Sequence, residues 1–185
     1  MMKVLVAYYS ETGNTEKVAR AIHEEALKKH ESHFKRINEV AAGEIGDYDV
    51  VFLGSPCHSA NLASPVRSLL RSLPKSPKFK LAGFFTHSVV SPERLPDARD
   101  SFNTWAGRCV SSFENTSKRK KIEFLGCYNC EGVPSPPVQE FIRSNVFQNE
   151  SAEAWQEYIE EAATHPDDQD LRRAQEFTRT MLSKL

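Results

Sequence analysis

One hydroxyl-rich turn constrains the fold of this chain more than any other stretch of its sequence. Residues 4–9 form a continuous apolar run, and residues 15–29 place apolar side chains at the spacing of one helix face. The turn that joins them consists of Ser10, Glu11, Thr12, Gly13, Asn14 and Thr15. Such a turn meets the free N–H groups and the positive dipole end of the helix that follows it. The sequence therefore predicts an α/β fold with an anion-binding turn after its first strand.

The composition of this turn indicates which anion it binds. Ser10, Thr12 and Thr15 supply hydroxyl donors, and Gly13 permits a backbone path that a side chain would obstruct. The turn contains no Lys or Arg, and it matches neither the G-x-x-x-x-G-K-[ST] pattern nor the G-x-G-x-x-G pattern. A terminal phosphate monoester held by neutral donors fits best, so we expect a mononucleotide rather than ATP or a dinucleotide. The alternative is an ordinary Ser or Thr cap at a helix start.

Strands and helices alternate along the following part of the chain. Further buried strands are predicted at residues 34–40, 49–55, 81–87 and 122–127, with helices at 65–73 and 96–113. This alternation predicts a doubly wound parallel five-stranded sheet with helices on both faces, whose ligands bind beyond the carboxyl ends of the strands. We therefore expect the loops after the first, third and fourth strands to meet at one ligand.

Residues 144–185 differ in character and predict a helical C-terminal extension. Helices are expected at 152–163 and from residue 171, with the final helix covering the sheet and with Trp155 and Tyr158 in the core. The proline-rich residues 133–137 are interpreted as a rigid surface loop, and the basic residues 118–121 as a solvated turn. A chain of 185 residues fits a single domain, with the extension packing on it.

Two segments of the sequence resemble flavodoxins. Ser10, Thr12, Gly13, Asn14 and Thr15 after the first strand look like the FMN phosphate loop of flavodoxins and flavodoxin-like proteins. Residues 48–56, followed by Ala60, Asn61, Leu62 and Arg67, resemble the third strand and flavin loop of the same family, including its quinone reductases. The resemblance covers roughly residues 3–130 and implies FMN as the cofactor.

The resemblance also implies where the flavin ring would lie. Its second wall would come from the loop after the third strand, with a peptide near Cys57 facing the flavin N5, and its third wall from residues 86–90. The cofactor-binding residues implied in this way are Ser10, Glu11, Thr12, Gly13, Asn14, Thr15, Ser55, Pro56, Cys57, His58, Ser59, Ala60, Asn61, Leu62, Thr86, His87 and Ser88. These loops lack the Trp and Tyr that many flavodoxins stack on the ring, so His58, Leu62, Val89 or an aromatic residue from elsewhere is expected to cover it.

The histidines and cysteines admit several roles. His58 and His87 fall in the predicted flavin loops, where they could transfer a proton or hydrogen-bond the flavin or the loop backbone. Cys127 and Cys130 have C-x-x-C spacing, which suits a redox disulfide or half of a metal site, with Cys57 and Cys109 completing four thiolates. No second C-x-x-C occurs, so we expect reduced thiols and no metal, and metal analysis tests this.

The leading functional hypothesis is electron transfer by bound FMN, with the protein as a carrier and with no catalytic residues of its own. Neutral phosphate-loop donors and the charge of Glu11 disfavour an anionic reduced flavin, which predicts a low potential. The alternative is an enzyme, an NAD(P)H-dependent FMN or quinone reductase of the same fold, although residues 86–92 do not resemble the loop of those reductases. A third hypothesis is a flavin-free binding module.

Net charge and hydropathy limit the classes of partner that the chain is expected to bind. A net charge of -1 argues against a nucleic-acid surface, and no apolar run is long enough for a membrane span. The N-terminal residues lead into the first strand without a signal-peptide pattern, so a cytoplasmic protein is expected. The resemblance implies redox partner proteins, namely ferredoxin-linked or flavin and iron–sulfur oxidoreductases, and the protein is expected to be a monomer or a dimer.

Overall fold

Five parallel strands form the central sheet of this chain in a computed structural model, which describes residues 1–41, 43–90, 92 and 96–185. The strands are β1 Lys3–Tyr8, β2 Glu31–Arg36, β3 Val50–His58, β4 Asn61–Leu62, β5 Lys80–His87 and β6 Phe124–Glu131. The parallel order is β2-β1-β3-β5-β6, and the short β4 pairs antiparallel with β3. This arrangement confirms the predicted doubly wound α/β fold.

Helices connect the strands and cover both faces of the sheet. They are α1 Asn14–Leu27, α2 Ser64–Ser72, α3 Arg99–Trp105, α4 Gly107–Lys120, α5 Pro136–Asn145, α6 Ala152–Ala163 and α7 Asp168–Leu182. Short 3₁₀ turns occupy Ile37–Glu39, Glu44–Asp47 and Pro96–Ala98. Within the described ranges, no helix combines the length and the apolarity that a membrane crossing requires.

The strand side chains alternate between two apolar layers. One layer joins Leu53 and Phe85 to α2 and α4, where Phe113 is fully buried. The other joins Phe52 to α1 and α7, and the Arg179 guanidinium of α7 lies 3.1 Å from the Glu25 carboxylate of α1. The final helix therefore covers the sheet as expected, and buried strands flanked by helices explain the apolar runs in the sequence.

Four local predictions need correction. The second strand begins at residue 31 rather than 34, because it is an edge strand whose polar residues are tolerated at the sheet border. The helix predicted over 96–113 is instead a 3₁₀ turn followed by two helices, separated at Ala106, whose φ of -134° leaves the helical region. The fifth predicted strand, 122–127, lies at 124–131, because polar side chains continue the strand beyond its apolar start.

The fourth correction concerns the segments interpreted as loops. Within the proline-rich stretch, Pro136 already begins α5, because proline fits the first turn of a helix where its missing N–H is not needed. The basic residues 118–120 lie in the last turn of α4, and the Lys120 ammonium donates to the carbonyls of Arg71 and Leu73 at 2.7 and 2.6 Å. Cations at a helix C-terminus interact favourably with its dipole, so this run has a structural role.

Candidate functional site

A cleft opens where the carboxyl ends of β1, β3, β5 and β6 meet, and it encloses about 420 Å³ including space open to solvent. Its lining residues are Ser10, Glu11, Thr12, Asn14, Thr15, Pro56, Cys57, His58, Thr86, His87, Ser88, Gly132, Val133, Pro134, Ser135 and Val138. The structure thus brings together the three loops that the sequence predicted. The fourth wall, from the loop after β6 and the start of α5, was not predicted, although the rule that ligands bind at strand ends applies to this strand as well.

The first wall is the turn at the start of α1. Gly13 precedes the helix with a left-handed φ of 90°, and no side chain caps the helix start. The first backbone bond inside the helix runs from the Lys17 N–H to the Gly13 carbonyl at 3.0 Å, so the N–H groups of residues 14–16 have no acceptor within the helix. The interpretation as an ordinary Ser or Thr cap is therefore not what the structure shows. An uncapped helix start ringed by hydroxyls fits a phosphate.

Three hydrogen bonds stabilise this turn. The Gly13 N–H donates to Ser10 Oγ at 3.1 Å, and the Asn14 amide donates to Thr12 Oγ1 at 3.0 Å and to the Val133 carbonyl at 2.9 Å. In addition, the hydroxyls of Thr15 and Thr86 share a buried hydrogen bond of 2.8 Å. The phosphate-binding turn is thereby tied to two other walls of the cleft, and its geometry is set before any ligand binds.

The second wall is the hairpin formed by β3 and β4. Pro56, Cys57 and His58 line the cleft, whereas the turn residues Ser59 and Ala60 have positive φ values of 49° and 62°. A two-residue hairpin turn of type I′ requires left-handed backbone at both positions. This wall therefore reaches the cleft through residues 56–58, and the turn lies beyond it.

The remaining predicted site residues do not line the cleft. Ser55 is fully buried, and its Oγ accepts from the Ala63 N–H at 2.8 Å. The Asn61 amide oxygen accepts from the Leu62 N–H and from the Ser112 hydroxyl, and Leu62 itself is fully buried in the core. Leu62 therefore cannot cover a ligand ring, and the role of this set is to hold the hairpin in place.

The turn residue Ala60 provides a test of hairpin strain. An alanine in the left-handed region is strained relative to glycine, so Ala60→Gly should raise the free energy of unfolding by about 1 kcal/mol. Urea unfolding of the two proteins measures the difference. Ala163→Gly, at an exposed helical position of α6, should act in the opposite direction. A loss of stability in Ala60→Gly would contradict the proposed strain.

Two groups of aromatic side chains lie next to residues of the cleft, although neither comes from the loops predicted to stack on a flavin. The Tyr9 ring meets His58 edge-on with centroids 6.5 Å apart, and Glu11 accepts from the Tyr9 hydroxyl at 2.7 Å. The Trp105 and Phe141 rings contact each other at 5.6 Å and are 42% and 45% exposed. The Trp105 carbonyl accepts from the cleft residue Cys57, so this pair lies beside the opening.

The extension braces the third wall. The Tyr158 hydroxyl of α6 donates to the Ser88 carbonyl at 2.7 Å, and burial raises the pKa of this phenol. The rings of Phe147, Trp155 and Tyr158 form a separate cluster in which Trp155 and Tyr158 are half-buried rather than in the main core. The predicted third-wall segment 86–90 lies wholly within the described residues, whereas residue 91 of the stretch 86–92 lies outside them.

His87 is a buried, neutral histidine in the cleft wall. It is 4% exposed, its Nε2 lies 3.0 Å from the Asn129 side-chain oxygen, and no hydrogen bond of good geometry reaches its Nδ1 from the described part of the chain. Burial lowers the pKa of His87 to about 4, and the opposing effects of Asn129 and of the Val89 backbone do not compensate for it. His87 therefore does not serve as a charged proton donor near neutral pH.

This depressed pKa predicts how stability depends on pH. Between pH 6.5 and 4, His87 takes up a proton in the unfolded chain but not in the folded one, so stability is lost as the pH falls. At pH 5, this difference in proton uptake should have lowered the free energy of unfolding by about 2 kcal/mol. Urea unfolding of the wild type and of His87→Gln across this range isolates it, because the carboxylates contribute to both proteins. Equal pH slopes in the two proteins would contradict the assignment.

The other histidines have structural partners. His23 bonds Ser32 at 2.8 Å, and His33 bonds the Tyr48 hydroxyl at 2.8 Å. His165 lies 2.6 Å from Asp170, and these two residues with Asp167 are the one cluster of three potential metal ligands found among the described residues. However, Asp167 and Asp170 accept each other's backbone N–H groups in a capping box at the start of α7, which accounts for their positions.

The C-x-x-C pair does not act as a unit. Residues three apart on a strand point to opposite faces, and Cys127 packs in the α2–α4 layer whereas Cys130 packs in the α1–α7 layer. The hypotheses of a disulfide between these two residues and of a site with all four thiolates are therefore wrong. All four cysteines are free, and Cys57 and Cys109 belong to the same layer as Cys127. The expected absence of a metal stays a prediction.

Comparison with known proteins extends the resemblance over nearly the whole chain. A family model described as a flavodoxin domain matches residues 5–179. The flavodoxin-like domain-containing protein BilS of Clostridioides difficile is 26% identical over 188 aligned positions, covering 99% of this chain and 98% of the relative. Oxidised flavodoxin 2 of Bacillus cereus superposes with a TM-score of 0.63 at 18% identity, over 99% of both chains. A flavodoxin from the domain Archaea gives 0.62 at 15% identity, over 99% and 98%. These superpositions show the fold.

Proposed function

The chain belongs to the flavodoxin domain family, and from this premise we propose that it binds FMN in the cleft and carries electrons between redox partner proteins. The observation that supports the proposal most directly is the uncapped start of α1, beside which Ser10, Thr12 and Thr15 line the cleft with their hydroxyl-bearing side chains. Such a donor set fits a phosphate monoester without a basic side chain.

The residues of the cleft would hold the cofactor at separate points. The turn at residues 10–15 would bind the phosphate, and residues 56–58 and 86–88 would form walls on either side of the ring. The loop after β6 would close the fourth side, because Val133 is already tied to Asn14 of the phosphate-binding turn. Bound FMN supplies the redox chemistry, and the protein controls its position, its access to solvent and its charge environment.

The charges at the cleft favour a low reduction potential. The phosphate-binding turn contributes no basic side chain, so no side chain of the turn would offset the negative charge of the phosphate. Glu11 adds a carboxylate at the rim, which His58 Nε2 meets at 3.4 Å. With both negative groups in the same cleft as the ring, the addition of a further negative charge to the cofactor would be disfavoured. His87 is neutral and therefore does not offset this effect.

The partners and compartment are part of the same proposal. Carriers of this kind would exchange electrons with ferredoxin-linked or flavin and iron–sulfur oxidoreductases, in the cytoplasm, as a monomer or a dimer. The four free thiols support a reducing compartment, because extracellular proteins of this size commonly form disulfides. The exposed Trp105 and Phe141 rings beside the cleft offer a surface against which a redox partner would pack.

The same exposed rings favour one alternative, an NAD(P)H-dependent FMN or quinone reductase. A quinone is a planar aromatic molecule, and the Trp105 and Phe141 pair would offer it a stacking surface at the mouth of the cleft. In this alternative the protein is an FMN-dependent oxidoreductase that accepts two electrons at a time, so the two functions differ in how the bound cofactor is reduced.

Stepwise anaerobic photoreduction of the FMN-reconstituted protein tests the proposal. We expect long-wavelength absorbance of one-electron-reduced flavin at intermediate times, together with slow NAD(P)H oxidation in the presence of quinones. Free FMN under the same light is the control. Direct bleaching in one two-electron phase, with rapid NAD(P)H-driven quinone reduction, would favour the reductase. A protein that does not bind FMN would overturn both functions and favour a flavin-free binding module.

A further inference from the structure

One side chain of the C-terminal extension reaches the backbone of the third wall. The Tyr158 hydroxyl of α6 donates to the Ser88 carbonyl at 2.7 Å, and Ser88 itself lines the cleft. The two residues are 70 positions apart in the sequence, so this contact depends on how the extension packs on the sheet. Burial raises the pKa of the Tyr158 phenol, and the hydroxyl therefore keeps the proton that it donates near neutral pH.

The backbone of the third wall has little other support. β5 ends at His87, whose carbonyl accepts from the Gly132 N–H at 2.8 Å. Beyond that point, no backbone–backbone hydrogen bond between described residues involves residues 88–90. Within the same part of the chain, Tyr158 is the side chain that holds the backbone of residues 88–90 from another element. The position of this segment therefore depends on the Tyr158 hydroxyl.

A fixed carbonyl also fixes the direction of the N–H group that follows it. The peptide between Ser88 and Val89 is planar and trans, so its C=O and its N–H point in opposite directions. Because the Ser88 carbonyl is directed towards α6, the Val89 N–H is directed away from α6. Tyr158 therefore sets the orientation of a backbone donor next to a residue that lines the cleft.

The Tyr158 ring is itself held in place by its neighbours. Its centroid lies 5.1 Å from that of the Phe147 ring and 5.5 Å from that of the Trp155 ring. The Arg143 guanidinium of α5 lies 5.6 Å from the centroid of the Trp155 ring, which is a favourable cation–π distance. Because α5 follows directly on the fourth wall, Tyr158 connects the third wall to the segment that begins at the fourth.

We propose that Tyr158 is a positioning residue for the cofactor, whose hydroxyl fixes the peptide between Ser88 and Val89 so that the third wall binds the flavin ring. This inference rests on the proposed binding of FMN. Tyr158 is not among the residues that line the cleft, so it acts through the peptide and not by touching the ligand. Part of the affinity for the ring then comes from the extension, which lies outside both segments that resemble the flavin loops.

Tyr158→Phe tests the proposal, because it removes the hydroxyl and keeps the ring that packs against Phe147 and Trp155. We expect the Kd of FMN and the Kd of riboflavin to rise by the same factor, roughly five- to tenfold, the effect of one lost hydrogen bond. Equal factors indicate a contact at the ring, because a contact at the phosphate would change FMN binding alone. Quenching of flavin fluorescence measures both constants.

Two other tyrosines supply matched controls. Tyr48→Phe removes a hydroxyl that bonds His33 at 2.8 Å, just before β3 begins and therefore at the end of the sheet away from the cleft. Tyr128→Phe removes the hydroxyl that ties β6 to the Asp170 carbonyl of α7 at 2.7 Å, so it loosens the extension without touching the third wall. Both variants should bind the two flavins as the wild type does. If Tyr128→Phe weakened flavin binding as much as Tyr158→Phe, general loosening of the extension would explain the effect, and the positioning role would be wrong.

Carbon-13 and nitrogen-15 NMR of the apoprotein follows the contact without any ligand. Loss of the hydroxyl donor in Tyr158→Phe should shift the resonances of the Ser88 carbonyl carbon and the Val89 amide nitrogen, and Tyr48→Phe should leave them in place. Unchanged resonances, or unchanged flavin binding by Tyr158→Phe, would overturn this proposal alone. If the wild type bound no FMN, the proposed function and the positioning role would both fail, and the NMR shifts would still show whether Tyr158 holds the third wall.

Discussion

FMN should bind the apoprotein about a thousandfold more tightly than riboflavin does. The two ligands differ only in the phosphate, and the start of α1 offers this group first-turn N–H donors of residues 14–16 and the hydroxyls of the turn. Hydrogen bonds to a charged group contribute about 1.5–3 kcal/mol each. After part of this is offset by desolvation of the phosphate, about 4 kcal/mol remains, which corresponds to roughly three orders of magnitude in Kd. Quenching of flavin fluorescence during titration measures both constants.

A variant in the phosphate-binding turn tests whether the difference in Kd between FMN and riboflavin comes from this turn. Ser10→Ala removes a hydroxyl that lines the cleft and accepts from the Gly13 N–H at 3.1 Å. It should weaken FMN binding by about tenfold, the value of one such hydrogen bond, and leave riboflavin binding unchanged. Ser68→Ala, on the exposed side of α2, should change neither constant. Riboflavin binding within tenfold of FMN binding would show that the turn does not hold the phosphate.

The strands that the sequence predicts well are those buried on both faces. β1, β3 and β5 lie at the centre of the sheet, and their apolar runs mark them within a few residues. The edge strand β2 carries polar residues, so its apolar content does not mark its start. The other edge strand, β6, ends in polar residues at Glu131, and its end could not be read from hydrophobicity. Because that end was missed, so was the wall that follows it.

The candidate site likewise contains one part that the local sequence predicts and another part that only the fold brings together. The phosphate-binding turn is a local motif, since its geometry depends on consecutive residues and on the helix that follows them. Its cross-links are not local: Asn14 reaches a carbonyl 119 positions away, and Thr15 meets a hydroxyl 71 positions away. The cysteines show the contrast most clearly. The C-x-x-C spacing suggested a pair that the strand geometry separates, because Cys127 and Cys130 pack in opposite layers.

Gly54→Ala should lower the free energy of unfolding by about 3 kcal/mol or more. An added Cβ would lie 2.2 Å from two ring carbons of Phe84, its register partner on β5, and the Phe84 ring is fully buried. No flexible side-chain end can move away, because the ring is enclosed by the α1–α7 layer. Overpacking of this kind costs about 1–3 kcal/mol and sometimes more. For a domain of this size we expect a fall in Tm of about 6–12 °C.

Gly46→Ala is the matched control, because a Cβ at this exposed position meets no atom within 4 Å. Its Tm should stay within about 2 °C of the wild type. Gly54 also sets the distance between the ends of β1 and β3, since its carbonyl accepts from the Tyr9 N–H at 3.1 Å. The cleft residues Pro56 and Cys57 follow it closely in the sequence. Gly54→Ala should therefore weaken FMN binding as well as stability. An unchanged Tm would show that β3 and β5 do not pack through this contact.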